Sequence, residues 1–125
     1  MNYKKWLSAN AQSLKGKTVA ITGSTGGLGK ELCRHLASLG ANLVLVDRNS
    51  ARSNANREEL ISAFKDITVE CACADLSDIS SVDNVCGVLK NMNIDVFIHN
   101  AGAYSIPRYT TDIGYDNIFK IGIKA

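Results

Sequence analysis

The hydrophobic positions follow two alternating rhythms. Short apolar runs rich in β-branched residues recur along the chain. Between them lie longer stretches whose apolar residues fall three and four apart. The runs Thr18–Thr22 and Asn42–Asp47 predict strands buried on both faces. Between these two, Leu32, Cys33, Leu36 and Leu39 share one helical face over Lys30–Leu39, and Gly40 stops the pattern. Asn49–Asn56 is polar and is expected as a loop. Arg57–Lys65 follows as a helix with Leu60, Ile61 and Phe64 inward. Ile67–Ala74 alternates enough for a third strand, and Ile94–His99 makes a fourth. Ser77 is expected to cap a third helix whose stripe is Ile79, Val82, Val85, Cys86 and Leu89. Beyond the fourth strand, Asn100–Thr110 reads as a loop in which Pro107 bars a regular element. Thr111–Ile121 then begins another helix, with Ile113, Tyr115, Ile118 and Phe119 as core contacts.

The order β-α-β-α-β-α-β-α implies a parallel sheet covered on both faces. Right-handed crossovers make the natural solution a doubly wound sheet, a three-layer α/β/α sandwich. Residues 1–15 stand apart as a leader helix, with Trp6, Leu7 and Leu14 on one side, and residues 16–125 form the domain. A length of 125 residues suits a single small core.

Composition excludes several classes. With 46% hydrophobic and 21% charged residues, the chain is too apolar for disorder and too mixed for a coiled coil. No apolar run approaches the roughly 18–20 residues of a membrane span. Met1–Trp6 is charged without an apolar run after it, which does not fit a secretory signal. The net charge of +2 is scattered and does not argue for nucleic acid. Cys33, Cys71, Cys73 and Cys86 contain no CxxC and have no His at zinc-ligand spacing, so no metal site is expected. Cys71 and Cys73 share one strand face and are expected as small buried residues. A reducing cytoplasm is the simplest setting.

The sharpest chemical signal is Gly23-Ser24-Thr25-Gly26-Gly27-Leu28-Gly29, which follows the first strand and opens the first helix. Gly23 permits a tight turn, Gly27 lets backbone approach a phosphate without a Cβ between, and Gly29 lets helix and strand pack closely. Ser24 and Thr25 add hydroxyls, and the helix start offers N–H groups and a positive dipole end to an anion. No Gly-Lys-Ser/Thr ends the loop, so it is not a Walker A loop. Asp47 ends the second strand near the roughly 20-residue spacing expected of an acid that accepts from both hydroxyls of an adenosine ribose. Such a carboxylate favours NAD over NADP. Arg48 points the other way, because an Arg here can pair with a 2′-phosphate; of the two, NAD is the expected cofactor and NADP the alternative. Asp75-Leu76 ends the third strand, and His99-Asn100-Ala101-Gly102 ends the fourth. In open α/β sheets ligands bind outside the carboxyl ends of the strands, so these clusters agree with one crevice. By themselves, Asp75 reads as a capping residue and Asn100-Ala101-Gly102 as an ordinary turn.

With these residues in place, the sequence resembles the classical short-chain dehydrogenase/reductase family over Lys15 to Ile121. Thr22-Gly23-x-x-x-Gly27-x-Gly29 matches the family's cofactor loop. Asp75-Leu76 resembles its acidic contact to the adenine ring. Asn100-Ala101-Gly102 matches most of its Asn-Asn-Ala-Gly motif, with His99 in place of the first Asn. The stretch Gly114-Tyr115-Asp116-x-x-Phe119-x-Ile121 resembles the segment that usually follows. The resemblance implies a Rossmann-like fold, a nicotinamide dinucleotide as cofactor, and hydride transfer with a small alcohol or carbonyl substrate. It leaves assembly as a homo-oligomer open.

The family also implies a catalytic Asn, a Ser and a Tyr-x-x-x-Lys. No Tyr-x-x-x-Lys occurs in this chain: Arg108 lies four residues after Tyr104, and Phe119 four after Tyr115. The position of the catalytic Asn falls on Gly122, and no catalytic residue is assigned. His99 suits acid/base work by type but is expected as a residue packed beside the sheet. Tyr104 and Ser105 lie in a loop that could reach a substrate. Two expectations follow: an NAD(P)-dependent oxidoreductase represented by its dinucleotide-binding part, or a catalytically silent, truncated nucleotide-binding fragment. On both, the sheet ends after the fourth strand and the helix that follows. An interaction module exposing an unfinished sheet edge is a third and weaker option.

Overall fold

A computed structural model of the chain describes residues 12–102, together with Lys5 and Ala9. Residues 1–11 other than Lys5 and Ala9, and the segment after Gly102 with Tyr104, Ser105, Tyr115 and Gly122, lie outside the described residues; residues 12–15, expected as the end of the leader helix, are not helical. Four strands, β1 (Thr18–Thr22), β2 (Asn42–Asp47), β3 (Val69–Cys73) and β4 (Val96–Ile98), alternate with three helices, α1 (Gly27–Ser38), α2 (Ser50–Ala63) and α3 (Ile79–Lys90). The strands form one sheet in the order β3-β2-β1-β4, and every pair is parallel. Ala20 sits between Val44 of β2 and Phe97 of β4. This is the doubly wound, Rossmann-like arrangement that the alternating rhythms predict.

The continuous apolar runs of β1 and β2 divide by residue parity. Val19, Ile21, Leu43 and Leu45 face one side, where Cys33 and Ala37 of α1 and Leu60 of α2 close over them. Ala20, Val44 and Val46 face the other, against Val85 of α3, with Leu76 and Leu89 at the margin. Both faces are buried, so neither strand shows a polar side, as expected for a parallel sheet under helices.

Gly40 ends α1 as the sequence predicts. Its φ is +90°, its N–H donates to the Ala37 carbonyl, and Ala41 N–H donates back to Leu36. These two bonds are the Schellman pattern, which glycine at the left-handed position allows. The stretch Lys15-Gly16-Lys17 then turns the chain into β1, with Leu14 N–H bonded to the Leu39 carbonyl at 2.8 Å.

Three predicted features are corrected. The polar stretch 49–56 is no loop: α2 starts at Ser50, capped by Asn49, whose side chain accepts from Arg52 N–H. Its inward residues in that stretch, Ser53 and Asn56, are polar, so hydrophobic spacing could not reveal it. The cap of α3 is Asp78, which accepts from Ser80 N–H, and Ser77 instead donates to Asp75 through both its N–H and its hydroxyl. Of the cysteines, only Cys33 is buried; Cys71 is half-buried, and Cys73 and Cys86 are exposed. β3 is an edge strand among the described residues, and the face that carries Val69, Cys71 and Cys73 loses cover towards its end, while Ala72 on the other face stays buried. Cys86 falls beside the Val82–Val85 stripe instead of on it.

The cap assignment has a direct test. Asp78→Ala should lower stability by about 1 kcal/mol in urea titration, and Ser77→Ala by less, because only the first leaves an N-terminal N–H of α3 without its acceptor.

Candidate functional site

The site grows out of the end of β1. Gly23 adopts φ +70°, a conformation that side chains rarely tolerate, and its N–H donates to the Val46 carbonyl at 3.0 Å. The turn brings the Gly23 carbonyl against α1 so closely that a Cβ on Gly29 would lie 2.0 Å from it. Gly29 therefore cannot carry a side chain without moving the loop. A Cβ on Gly27, in contrast, would meet nothing within 4 Å. The helix cap, Gly26, contributes no side-chain hydrogen bond, and the first closing bond runs from Lys30 N–H to Gly26. The start of α1 thus presents N–H groups without a side-chain acceptor, beside open space at Gly27. That combination fits an anion such as a pyrophosphate. Thr25 is half-buried in the loop, and Leu28 is 76% exposed.

Asp47 lies beneath this loop and is only 5% exposed. Its Oδ1 accepts from Ser24 N–H at 2.6 Å, and its Oδ2 accepts from the hydroxyls of Ser24 and of Ser53, the latter at 2.8 Å. Asn56 adds to the cluster by donating to the Ser24 carbonyl at 3.2 Å. Cys33 stands alongside. Burial pushes its thiol up to about 12, the Asp47 charge adds to the rise, and a hydrogen bond with Asn56 opposes it. The thiol is neutral packing material at ordinary pH. Arg48 follows Asp47 directly and is exposed.

Thr22 joins the first and fourth strand ends. Its buried hydroxyl oxygen accepts from Asn100 N–H at 3.0 Å and from Ala101 N–H at 2.9 Å. Both lone pairs are then used, so the Thr22 proton is left to donate to His99 Nδ1, 3.4 Å away. Asn100 also donates from its side chain to the Gly23 carbonyl at 3.1 Å. A Cβ on Gly23 would come 3.0 Å from Ala101 Cα. The β1 turn and the β4 turn are therefore in van der Waals contact at the carboxyl end of the sheet. β1 is flanked there by β2 on one side and β4 on the other, the topological switch point where open α/β sheets bind ligands.

The sequence-predicted residues gather unevenly around this point. Gly23, Ser24, Thr25, Gly26, Gly27, Leu28 and Gly29 form the loop and helix start, and Asn100 and Ala101 lie against it, with Gly102 following. Asp47 reaches the loop from below, buried, with its oxygens engaged. Asp75 is half-buried and accepts from Ser77, and Leu76 packs on the core beneath α3. His99 is exposed instead of packed beside the sheet. Sequence reasoning missed Thr22 as a hub, and Ser53 and Asn56 altogether. The spacing of Ser53, Asn56 and Leu60 on one helical face was the available signal, visible only if polar residues are allowed inward. Among the described residues no group of three or more potential metal ligands occurs.

The sequence model of the short chain dehydrogenase family matches residues 17–125. This chain belongs to that family. A short chain dehydrogenase of Aspergillus sclerotiorum is 34% identical over 112 residues, which cover 87% of this chain and 31% of that protein. The short-chain dehydrogenase of Sphingobium yanoikuyae, solved in complex with NADPH, superposes with a TM-score of 0.73 at 27% identity, over 86% of this chain and 43% of that one. A 3-ketoacyl-(acyl-carrier-protein) reductase from Brucella melitensis, solved with NADH, gives a TM-score of 0.68 at 28% identity, over 90% and 46%. This short chain dehydrogenase sequence spans about a third of the length of the curated relatives it matches.

Two predictions follow from the site. Gly29→Ala should cost several kcal/mol or prevent folding, while Gly27→Ala should leave the melting temperature within about a degree or two or raise it, since Ala suits a helix start better than Gly. The Cys33 thiol holds its proton more tightly folded than unfolded. Its contribution is complete below the ordinary thiol value of 9.0 and is lost as pH rises towards about 12. Cys33→Ala should therefore lose less melting temperature than wild type between about pH 8 and about pH 10.5 in a thermal-shift series.

Proposed function

We propose that this chain binds a nicotinamide dinucleotide over the switch point and is the cofactor-holding part of an oxidoreductase acting on a small alcohol or carbonyl. The observation that carries the proposal is the loop itself. A left-handed Gly23, a Gly29 against the Gly23 carbonyl, and an uncapped helix start beside open space at Gly27 make a cradle for two phosphates. Gly26, Gly27 and Leu28 would meet the pyrophosphate through backbone N–H groups. Asn100, Ala101 and Gly102 would border the nicotinamide half, and Asp75 with Leu76 the adenine. When bound, the cofactor supplies the hydride-carrying nicotinamide ring. The residues of this chain bind and orient it; hydride transfer is proposed for the whole protein. Relatives solved with NADPH and with NADH support the cofactor class equally. The case for NAD rests on an open Asp47 carboxylate, and the burial of that carboxylate removes its support. No helix among the described residues is long and apolar enough to cross a membrane. A cytoplasmic setting and assembly as a homo-oligomer are carried as parts of the same proposal.

Calorimetric titration with NADH and NADPH tests this reading. Saturable binding of either is expected, and Gly27→Val should weaken it about tenfold or more, equivalent to at least about 1.4 kcal/mol, with the fold intact by circular dichroism. Absence of binding at millimolar cofactor, or an unchanged affinity in Gly27→Val, would overturn it.

A further inference from the structure

Asp47 stands where an acid would be expected to take the adenosine ribose. Its surroundings assign it a different task. An ionised carboxylate offers about four lone-pair sites and no donor. Three hydrogen bonds from this chain already end on Asp47, two from Ser24 and one from Ser53. Gripping both ribose hydroxyls needs two free sites, so a bound ribose would have to break at least one of these bonds. The side chain is also in the wrong place to be a free acceptor, since the residue is only 5% exposed beneath the loop.

The proton directions form a consistent chain. The carboxylate can only accept, so both serine hydroxyls spend their single protons on it. The Ser24 hydroxyl oxygen keeps its lone pairs, and Asn56 Nδ2 lies 3.4 Å from it and 3.2 Å from the Ser24 carbonyl. Ser24 is thus held through its N–H, its hydroxyl and its carbonyl by residues that do not face the crevice. It immediately follows Gly23, whose φ of +70° sets the course of the loop. Ser24, Asp47, Ser53 and Asn56 are all buried.

We propose that Asp47 is a positioning residue which, with Ser53 and Asn56 of α2, locks Ser24 and thereby holds the phosphate-binding loop in its anion-receiving shape, and that it does not read the ribose. The clamp acts on the part of the dinucleotide that NAD and NADP share. It therefore governs affinity for both and discriminates between neither. This inference rests on the dinucleotide-binding proposal above.

The test compares NADH and NADPH dissociation constants by calorimetry for wild type, Asp47→Asn, Ser53→Ala and Asn56→Ala, each checked for fold by circular dichroism. Asp47→Asn should weaken both cofactors by about tenfold, with the NADH to NADPH ratio kept within about twofold. Ser53→Ala and Asn56→Ala should also weaken both by about threefold or more, in the same ratio, at temperatures where the protein is folded. A residue that only stabilises the fold would lower the melting temperature and leave these constants alone. If Asp47→Asn selectively weakens NADH or strengthens NADPH, so that the ratio moves tenfold, Asp47 reads the ribose and the inference fails. Unchanged constants in both Ser53→Ala and Asn56→Ala overturn it too, and decide the matter if Asp47→Asn does not fold. Failure of the dinucleotide reading itself is distinct, because wild type would then bind neither cofactor.

Discussion

The carbonyl oxygen of Gly23 occupies the space that a side chain at Gly29 would fill, and much of the site depends on that exclusion. Because no Cβ stands between them, α1 can begin directly against the end of β1. Its first N–H groups then open onto the carboxyl edge of the sheet. A longer approach would carry the helix dipole away from the switch point, and the charge effect of a helix terminus falls off within about one turn. The same carbonyl accepts the Asn100 side chain, so one oxygen ties the first and fourth strand ends together.

A buried carboxylate makes the second connection. Leaving Asp47 uncompensated in the interior would be costly, and the fold answers that cost with donors on two other elements, Ser24 in the loop and Ser53 in α2. The charge thus links the loop, β2 and α2. Burial, with the Asp47 charge adding to it, keeps the nearby Cys33 thiol protonated, so a buried cysteine close to the site is structural. On the far side Thr22 achieves with a neutral hydroxyl what Asp47 achieves with a charge, because it holds two backbone N–H groups of the β4 turn.

The strands and helix faces were legible where inward positions are apolar. Val19, Ile21, Leu43 and Leu45 announce buried strands, and Leu32, Cys33, Leu36 and Leu39 with Gly40 announce a helix and its end. Legibility failed where the core turns polar. The first turns of α2 point Ser53 and Asn56 inward, so a periodicity read from hydrophobicity found a loop there. It failed again at Ser77 and Asp78, two adjacent residues of cap-forming type, because only the backbone course decides which of them precedes the first helical turn. The glycine loop was legible as a motif since few residue types permit its geometry.

By itself, then, the sequence determined the alternating α/β order, the parallel sheet and the place of the glycine-rich turn at the end of β1. These follow from local spacing and from the steric limits of single residues, which the chain carries wherever it folds. The tertiary structure alone decided which way the side chain of Asp47 faces and which residues satisfy it. A carboxylate at the end of a strand has the same local sequence whether it meets a ribose or a serine. The difference lies in Ser24 and Ser53, brought to it by the packing of two layers, and no spacing rule along the chain encodes that meeting.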